Sequence, residues 1–344
     1  MPGPLVTILL PCFDAQQFLD AALESLTRQT YGELDILAID DGSRDGTPRI
    51  LDRWAARDPR VRVLRNGANR GLIETLNRGV AEARGAFLAR MDADDIASPK
   101  RIEAQVRLFE VRPSLGVVGT AVRLVNADGD RPVRALPVGA RTPAAARFMA
   151  LFATPIAHPT LMAQTELMRA HPYGTSARSL HTEDYELFTR MLEAGVEFAN
   201  VGEPLVSMRF TTGSVSRRYE DIQITNFVAC ARHYLERVMG ITPDPAAHRV
   251  FVNRMNGDTT ARDLRAGLRL LDRVEAEFVE REPADTSEIA AIAAEHRVDI
   301  LVQALRRGGV SARLATVPSA LRRADALLSK RGRTYLARKL RTRF

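Results

Sequence analysis

Cysteine and tryptophan are scarce: two Cys (Cys12, Cys230) and a single Trp, Trp54, in 344 residues. Two cysteines make no disulfide framework, so a reducing compartment, the cytoplasm, is the expected setting. No apolar run approaches the roughly 18 residues that a membrane-spanning helix needs. A secretory leader is not expected either, since Met1-Pro2-Gly3-Pro4 lacks a basic n-region and the apolar segment Leu5 to Leu10 is too short. Acidic residues are nearly missing from the C-terminal end. Arg306 to Phe344 carries twelve Lys/Arg against Asp325 alone, a local charge of +11, so with a chain total of +7 the remainder sums to −4. A neutral body with a basic tail argues against nucleic acid as the partner of the whole chain. The 45% apolar and 26% charged content is ordinary for one large domain with an appendage, or for two domains.

Strand-then-helix alternation fills the first third. Leu5–Leu10, Leu34–Ile39, Val61–Leu64 and Ala86–Arg90 are apolar, β-rich runs, each followed by apolar residues at helical spacing over Ala15–Gln29, Pro48–Ala56, Leu72–Ala83 and Pro99–Val111. Thr47 is the expected N-cap of the second helix, with Pro48 at its first position. Four such repeats predict an α/β fold with a parallel, doubly wound sheet. After residue 113 the pattern changes to a long β run over Leu115–Val125, a turn at Asn126-Ala127-Asp128-Gly129 and a second strand near Val133. Helices follow at Ala144–Leu151 and Thr182–Ala194, then an extended stretch over Val201–Phe210. From about Asp221 the sequence reads as helical, with a break at Thr242–Pro245. The expected division is a domain over 1–240, in halves 1–113 and 114–240, and a helical, basic region over 241–344.

Chemistry concentrates where strands end. Asp92, Asp94 and Asp95 place three carboxylates within four residues after the fourth strand, where open α/β sheets bind ligands. Like charges that close are costly without a cation, and oxygen-only ligands favour a hard ion such as Mg²⁺ or Mn²⁺ beside a phosphate-bearing ligand. The second strand ends in Asp40-Asp41-Gly42-Ser43. Asp41, Ser43, Asp45, Gly46 and Asp52 fall at calcium-loop spacing, but the segment before them is a strand and not the entering helix an EF-hand requires. The acid pair reads instead as an acceptor for ligand hydrogen bonds, or as a turn with an N-cap. Asn69-Arg70-Gly71-Leu72 precedes a helix, so its backbone N–H groups and Arg70 are candidates for approaching a phosphate. Glu183 and Asp184 fall in the first turn of a helix, favoured there by the helix dipole and equally suited to a general base.

In order, Leu9-Leu10-Pro11-Cys12-Phe13-Asp14, Ile39-Asp40-Asp41-Gly42-Ser43-Arg44-Asp45, Asn69-Arg70-Gly71-Leu72, Ala89-Arg90-Met91-Asp92-Ala93-Asp94-Asp95 and Glu183-Asp184-Tyr185-Glu186-Leu187 resemble the family 2 glycosyltransferases of the GT-A fold, over about residues 5 to 215. The resemblance implies a Rossmann-like mixed sheet with a helical C-terminal appendage, and a single inverting displacement at the anomeric carbon of a nucleotide-diphosphate sugar, UDP-linked by preference. It assigns base recognition to Asp41, with Asp40, Pro11 and Asp14 around the same pocket. Asp94 becomes the metal ligand, Asp92 faces ribose or metal, and Asp184 becomes the catalytic base. Ile156-Ala157-His158-Pro159-Thr160 resembles a further active-site segment, which puts His158 near donor or acceptor, with Glu183, Asp95 and Arg209 in the same vicinity. The implied cofactor is Mn²⁺ or Mg²⁺, and the implied acceptor a cell-surface glycan or lipid-linked saccharide.

Two departures matter. Arg209-Phe210-Thr211 puts Thr where many members carry a His that completes the metal shell, and the Q-x-x-R-W motif of processive synthases is absent, Trp54 lying far from its place. The second favours addition of one sugar or a few. Leu321, Ala324, Leu328, Leu336 and Leu340 lie among Arg322, Arg323, Lys330, Arg331, Arg333, Arg338 and Lys339, a basic amphipathic stretch able to rest on the anionic inner face of a membrane. Two rivals are weighed. A sugar nucleotidyltransferase would call for a Gly/Arg/Lys-rich phosphate loop after the first strand, which Pro11-Cys12-Phe13-Asp14 is not. A non-catalytic nucleotide- or glycan-binding module would bind donor without turnover.

Overall fold

A computed structural model describes residues 3–129, 132–135 (backbone only), 139–177, 179–209, 219–309 and 311–313. Its sheet runs β3-β2-β1-β4-β8-β6-β9-β5, with β7 paired to β6. β1 (Val6–Cys12) lies parallel between β2 (Leu34–Asp40) and β4 (Phe87–Arg90), and β3 (Val61–Arg65) extends β2 in parallel. β2 is buried along its whole length, as expected of a strand covered on both faces. Beyond β4 the sheet turns mixed. β8 (Met162–Gln164) is antiparallel to β4 and to β6 (Leu115–Val125), β6 is parallel to β9 (Glu197–Arg209), and β5 (Ile96–Ala97) and β7 (Pro132–Ala135) close as antiparallel pairs on β9 and β6.

Between the strands run α1 (Leu19–Thr27), α2 (Thr47–Arg57), α3 (Leu72–Glu82) and α4 (Arg101–Val111). Leu19, Ala22, Leu23 and Leu26 of α1 and Ile50, Leu51 and Trp54 of α2 join Ile8, Leu10, Ile36 and Ala38 in one core. Trp54 Nε1 donates to Asp20 Oδ1 at 2.8 Å. Gln105 of α4 donates to the carbonyls of Val118 and Thr160, both at 2.8 Å, which ties the helix to β6 and to the turn His158–Thr160.

Two expectations are corrected. α1 begins at Leu19 rather than Ala15, because the N–H groups of Asp14, Ala15 and Gln16 donate to Ser43 Oγ (3.0 Å), Thr47 Oγ1 (2.8 Å) and Asp45 Oδ2 (3.0 Å). Thr47 is therefore not the N-cap of α2: its hydroxyl serves the neighbouring loop, Gly46 caps the helix, and Asp45 Oδ1 accepts from Thr47 N.

The chain forms two compact units, Met1–Pro143 with Pro155–Glu220, and Ala144–Thr154 with the sequence from Asp221 onward. The first also contains α6 (Thr165–Ala170) and α7 (Glu183–Glu193), after α5 (Pro143–Met149) of the second. The second adds α8 (Glu220–Met239), α9 (Pro245–Phe251), α10 (Ala261–Arg281) and α11 (Thr286–Arg307). The expected break lies between α8 and α9, where Asp244 Oδ1 caps α9 through Ala246 N and Ala247 N. Phe152 stacks on His296 at 3.9 Å and meets Phe148 and Phe251 edge-on. Burial pushes His248 and His296 down to about 4, so this core holds neutral imidazoles at neutral pH. Among the described residues no helix is long and apolar enough to cross a membrane.

Candidate active site

The chain leaves β1 toward β2 on one side and β4 on the other, so the carboxyl ends of these strands open onto the switch point of the sheet. On the β2 side, Asp40 and Asp41 are buried. Asp40 Oδ1 accepts from Ser43 N at 3.0 Å, and Asp41 N donates to Cys12 O at 2.8 Å, pinning the end of β2 to the end of β1. The Asp41 carboxylate accepts from Asn66 Nδ2 (2.7 Å), Arg70 N (2.9 Å) and Gly71 N (2.9 Å). The two backbone N–H groups of the Asn69–Leu72 turn are thus spent on Asp41, and the Arg70 side chain remains exposed. About one of the four lone-pair positions of that carboxylate is left for a ligand. Asp14, exposed and at φ +46°, accepts from Arg44 N at 2.8 Å, so the Pro11–Asp14 loop is laced to the turn after β2.

On the β4 side, the acids leave the strand beside a buried arginine. Arg90 Nη1 donates to Asp92 Oδ2 at 2.8 Å and Nη2 to Asp92 Oδ1, a bidentate pair. Burial works against the charge on Arg90, yet Asp92, Tyr173, Asp95 and Glu183 together hold it protonated. Arg101, also buried, donates through Nη2 to Arg90 O at 2.6 Å, and burial with the neighbouring Arg90 pulls it down to about 9. One oxygen from each of Asp92, Asp94 and Asp95 lies within 4.8 Å of the others. Burial, then Asp92, raises Asp94, and burial with both neighbouring acids raises Asp95 well above the usual carboxylate range. Arg209 at the end of β9 clamps this turn, its N donating to Asp95 Oδ1 (3.1 Å), Nε to Asp94 O (2.7 Å) and Nη1 to Ala127 O (2.8 Å). Its guanidinium sits 4.9 Å over the Phe18 ring.

Glu183 and Asp184 open α7, half-buried. Burial first, then Asp184, pushes Glu183 up to about 7, with Arg90 pulling the other way and Asp92 adding to the rise. Asp184 is raised by burial while its Oδ1 accepts from Tyr185 N at 2.7 Å. His158 lies beneath, buried, with Nε2 at 2.8 Å from Tyr173 Oη and its ring edge-on to Phe188. Burial and then Arg90 push it well below the usual imidazole range, so it is a neutral group. Immediately before α7, His181 holds the left-handed φ of +62° and stacks on Tyr219 at 4.1 Å.

The structure thus gathers Asp92, Asp94, Asp95, Glu183 and Asp184 about Arg90, binds Arg209 to Asp94 and Asp95, and groups Pro11, Asp14, Asp40 and Asp41 at the ends of β1 and β2. Thr211 lies outside the described residues. Arg90, Tyr173 and Arg101 carry no role in the sequence reading. A signal existed for the first: Arg90 stands two residues before Asp92, a spacing that turns both side chains to one side of an extended chain. Nothing local marks Tyr173, which reaches His158 across the fold.

A mixed sheet whose switch point carries an acid turn after the fourth strand is an arrangement of the GT-A kind. The model of Glycosyl transferase family 2 matches residues 7–168. The Bacillus subtilis (strain 168) protein described as "Putative glycosyltransferase EpsE" is 30% identical over 236 residues, 67% of this chain and 83% of that one. The chain belongs to glycosyltransferase family 2 and is a glycosyltransferase. Two solved structures share the fold. The mannosyltransferase PcManGT of Pyrobaculum calidifontis, in complex with GDP-Man and Mn²⁺, superposes with a TM-score of 0.54 at 18% identity, over 98% of this chain and 84% of that one. Residues 1-349 of Staphylococcus aureus TarS, in complex with UDP-GlcNAc, give 0.55 at 13% identity, over 99% and 93%.

Proposed function

We propose that this glycosyltransferase moves one sugar, with inversion, from a nucleoside-diphosphate donor to a hydroxyl of a cell-surface glycan or lipid-linked saccharide, and that it depends on a divalent cation. The observation that carries this is the coupling of two acid groups through one buried arginine. Asp92, Asp94 and Asp95 follow β4, Glu183 and Asp184 open α7, and Arg90 binds Asp92 and lowers both Glu183 and Asp184. The donor set fits a hard cation: it is all oxygen, and buried Asp95 keeps one oxygen, Oδ2, without a partner. When bound, Mn²⁺ or Mg²⁺ supplies charge neutralisation at the departing diphosphate.

In this reading Asp41 and Asp40, with Pro11 and Asp14, receive the nucleoside. Arg70 meets the phosphates, and Asp92, oriented by Arg90, faces the ribose. Asp184 takes the proton from the acceptor hydroxyl as its oxygen attacks the anomeric carbon, and the electron pair of the broken C–O bond leaves on the nucleotide. The raised Asp184 and Glu183 suit such a transfer, since a base near the working pH accepts a proton most effectively. UDP-sugars are the favoured donors, in line with the UDP-GlcNAc complex of the TarS neighbour; GDP-mannose in the other neighbour makes GDP-sugars the next to screen. The basic sequence over 314–344 would hold the enzyme against anionic lipid, where a lipid-linked acceptor resides.

The test is a panel of UDP- and GDP-sugars with Mn²⁺, followed by donor hydrolysis and transfer. Asp184→Asn should lower kcat by roughly 10²–10⁴ while UDP affinity stays near wild type. Binding of donors without turnover would instead mark a non-catalytic module. Loss of activity in Glu183→Gln with retention in Asp184→Asn would move the base to Glu183.

A further inference from the structure

We infer that the divalent cation is held by Asp94 and Asp95, and that Arg90 keeps Asp92 out of its coordination shell. This rests on the metal-dependent reading above and departs from it in the ligands. Both oxygens of Asp92 are engaged by Arg90, Oδ2 at 2.8 Å from Nη1 and Oδ1 against Nη2. Arg90 is only 3% exposed, and a guanidinium does not lose its proton in a protein. A dication ligated through Asp92 would face that fixed positive charge across a single carboxylate.

Asp95 presents the opposite case. It too is 3% exposed. Its Oδ1 accepts from Arg209 N at 3.1 Å, and its Oδ2 has no partner. A buried carboxylate oxygen left unsatisfied is costly, and such an atom in a folded protein calls for a ligand or ion. Among the described residues, no other residue donates to the Asp94 carboxylate, and no His or Cys joins the three acids. The sequence has Thr211 where many family members carry a metal-binding His. Asp95, next to Asp94 and within the same 4.8 Å group, supplies the oxygen that such a His would otherwise replace. Arg209 is then a positioning residue with two contacts, its N fixing Asp95 Oδ1 and its Nε fixing the carbonyl of Asp94.

The experiment is Mn²⁺ titration of the full chain by electron paramagnetic resonance, with saturating UDP and, separately, GDP. Asp94→Asn and Asp95→Asn should each weaken Mn²⁺ binding by about tenfold or more, since even outer-shell changes cost that much. Asp92→Asn should stay within about threefold of wild type, well below the effect of losing an outer-shell partner. Asn at position 95 keeps the Oδ1 acceptor for Arg209, and thermal melts in chelator check that the fold is retained. Unchanged Mn²⁺ affinity in Asp95→Asn, or a tenfold loss in Asp92→Asn, overturns the assignment. Should Asp95→Asn fail to fold, Asp95→Ser takes its place for the Asp95 ligand, and the contrast between Asp92→Asn and Asp94→Asn decides the exclusion of Asp92. Wild-type protein that binds no Mn²⁺ overturns the metal-dependent reading and this assignment together; wild-type binding with an indifferent Asp95→Asn overturns the assignment alone.

Discussion

A buried guanidinium is costly, and nearby carboxylates help to repay its desolvation; Arg90 lies among Asp92, Asp95 and Glu183. Removing it leaves those acids facing one another. Arg90→Met should destabilise the protein by about 3 kcal/mol, the low end for breaking a buried pair, because Asp92 is partly exposed and screened. The loss should depend on pH in a set direction. Arg90 lowers Asp94, Asp95, Glu183 and Asp184, so without it these folded-state values rise further above their unfolded ones. Acids raised on folding favour the folded state at low pH and lose that advantage as pH climbs through the folded value. With Glu183 already at about 7 in the intact protein, the gap between variant and wild type in urea melts should be widest at pH 8 and narrower at pH 5.5. The roles of Asp92, Asp94 and Asp184 could be proposed from the sequence because the resemblance to family 2 glycosyltransferases assigns them. What spacing could not show is which oxygens are already taken, and that decides what each acid can bind. Asp41 makes the same point: it reads as an open acid pair with Asp40, yet three donors from Asn66, Arg70 and Gly71 occupy it.

The turn after β2 governs how the nucleoside side of the site is built. Gly42 takes φ +75°, and a Cβ there would lie 2.5 Å from the carbonyl carbon of Ala68. Gly42→Ala should therefore cost about 2 kcal/mol or more, the left-handed penalty plus displacement of the 66–71 loop. Since that loop carries the donors to Asp41, UDP affinity measured by calorimetry should fall as well. Gly32→Ala, with nothing within 4 Å of its added methyl, should change neither and serves as the control. At this scale the four strand-helix repeats were legible, because strands buried on both faces leave continuous apolar runs and helices leave a 3.6-residue stripe. The start of α1 was not, since what halts it is Ser43, Asp45 and Thr47, some 30 residues away. β8 and β5, of three and two residues, are too short to leave a period. Together with β7 they nonetheless turn a parallel sheet into a mixed one.

For the whole molecule, the distribution of charge carries more than its sum. The +11 of Arg306–Phe344 sits on a chain whose remainder sums to −4, so the two parts would respond oppositely to an anionic surface. The segment Ala144–Thr154 joins the helices beyond Asp221, a long-range association that no local pattern announces. The basic amphipathic stretch over 314–344, by contrast, is read from sequence alone and lies outside the described residues. If it is the membrane contact, each cation near a charged leaflet adds roughly 1 kcal/mol, which several arginines convert into firm binding at low salt. The full chain should co-sediment with phosphatidylglycerol vesicles and not with phosphatidylcholine vesicles, and should release as added salt shortens the screening length. A chain ending at Arg313 keeps α10 and α11 complete and should stay in the supernatant with donor hydrolysis unchanged. If it sediments as the full chain does, the tail is not the anchor, and the acceptor must be met by some other surface.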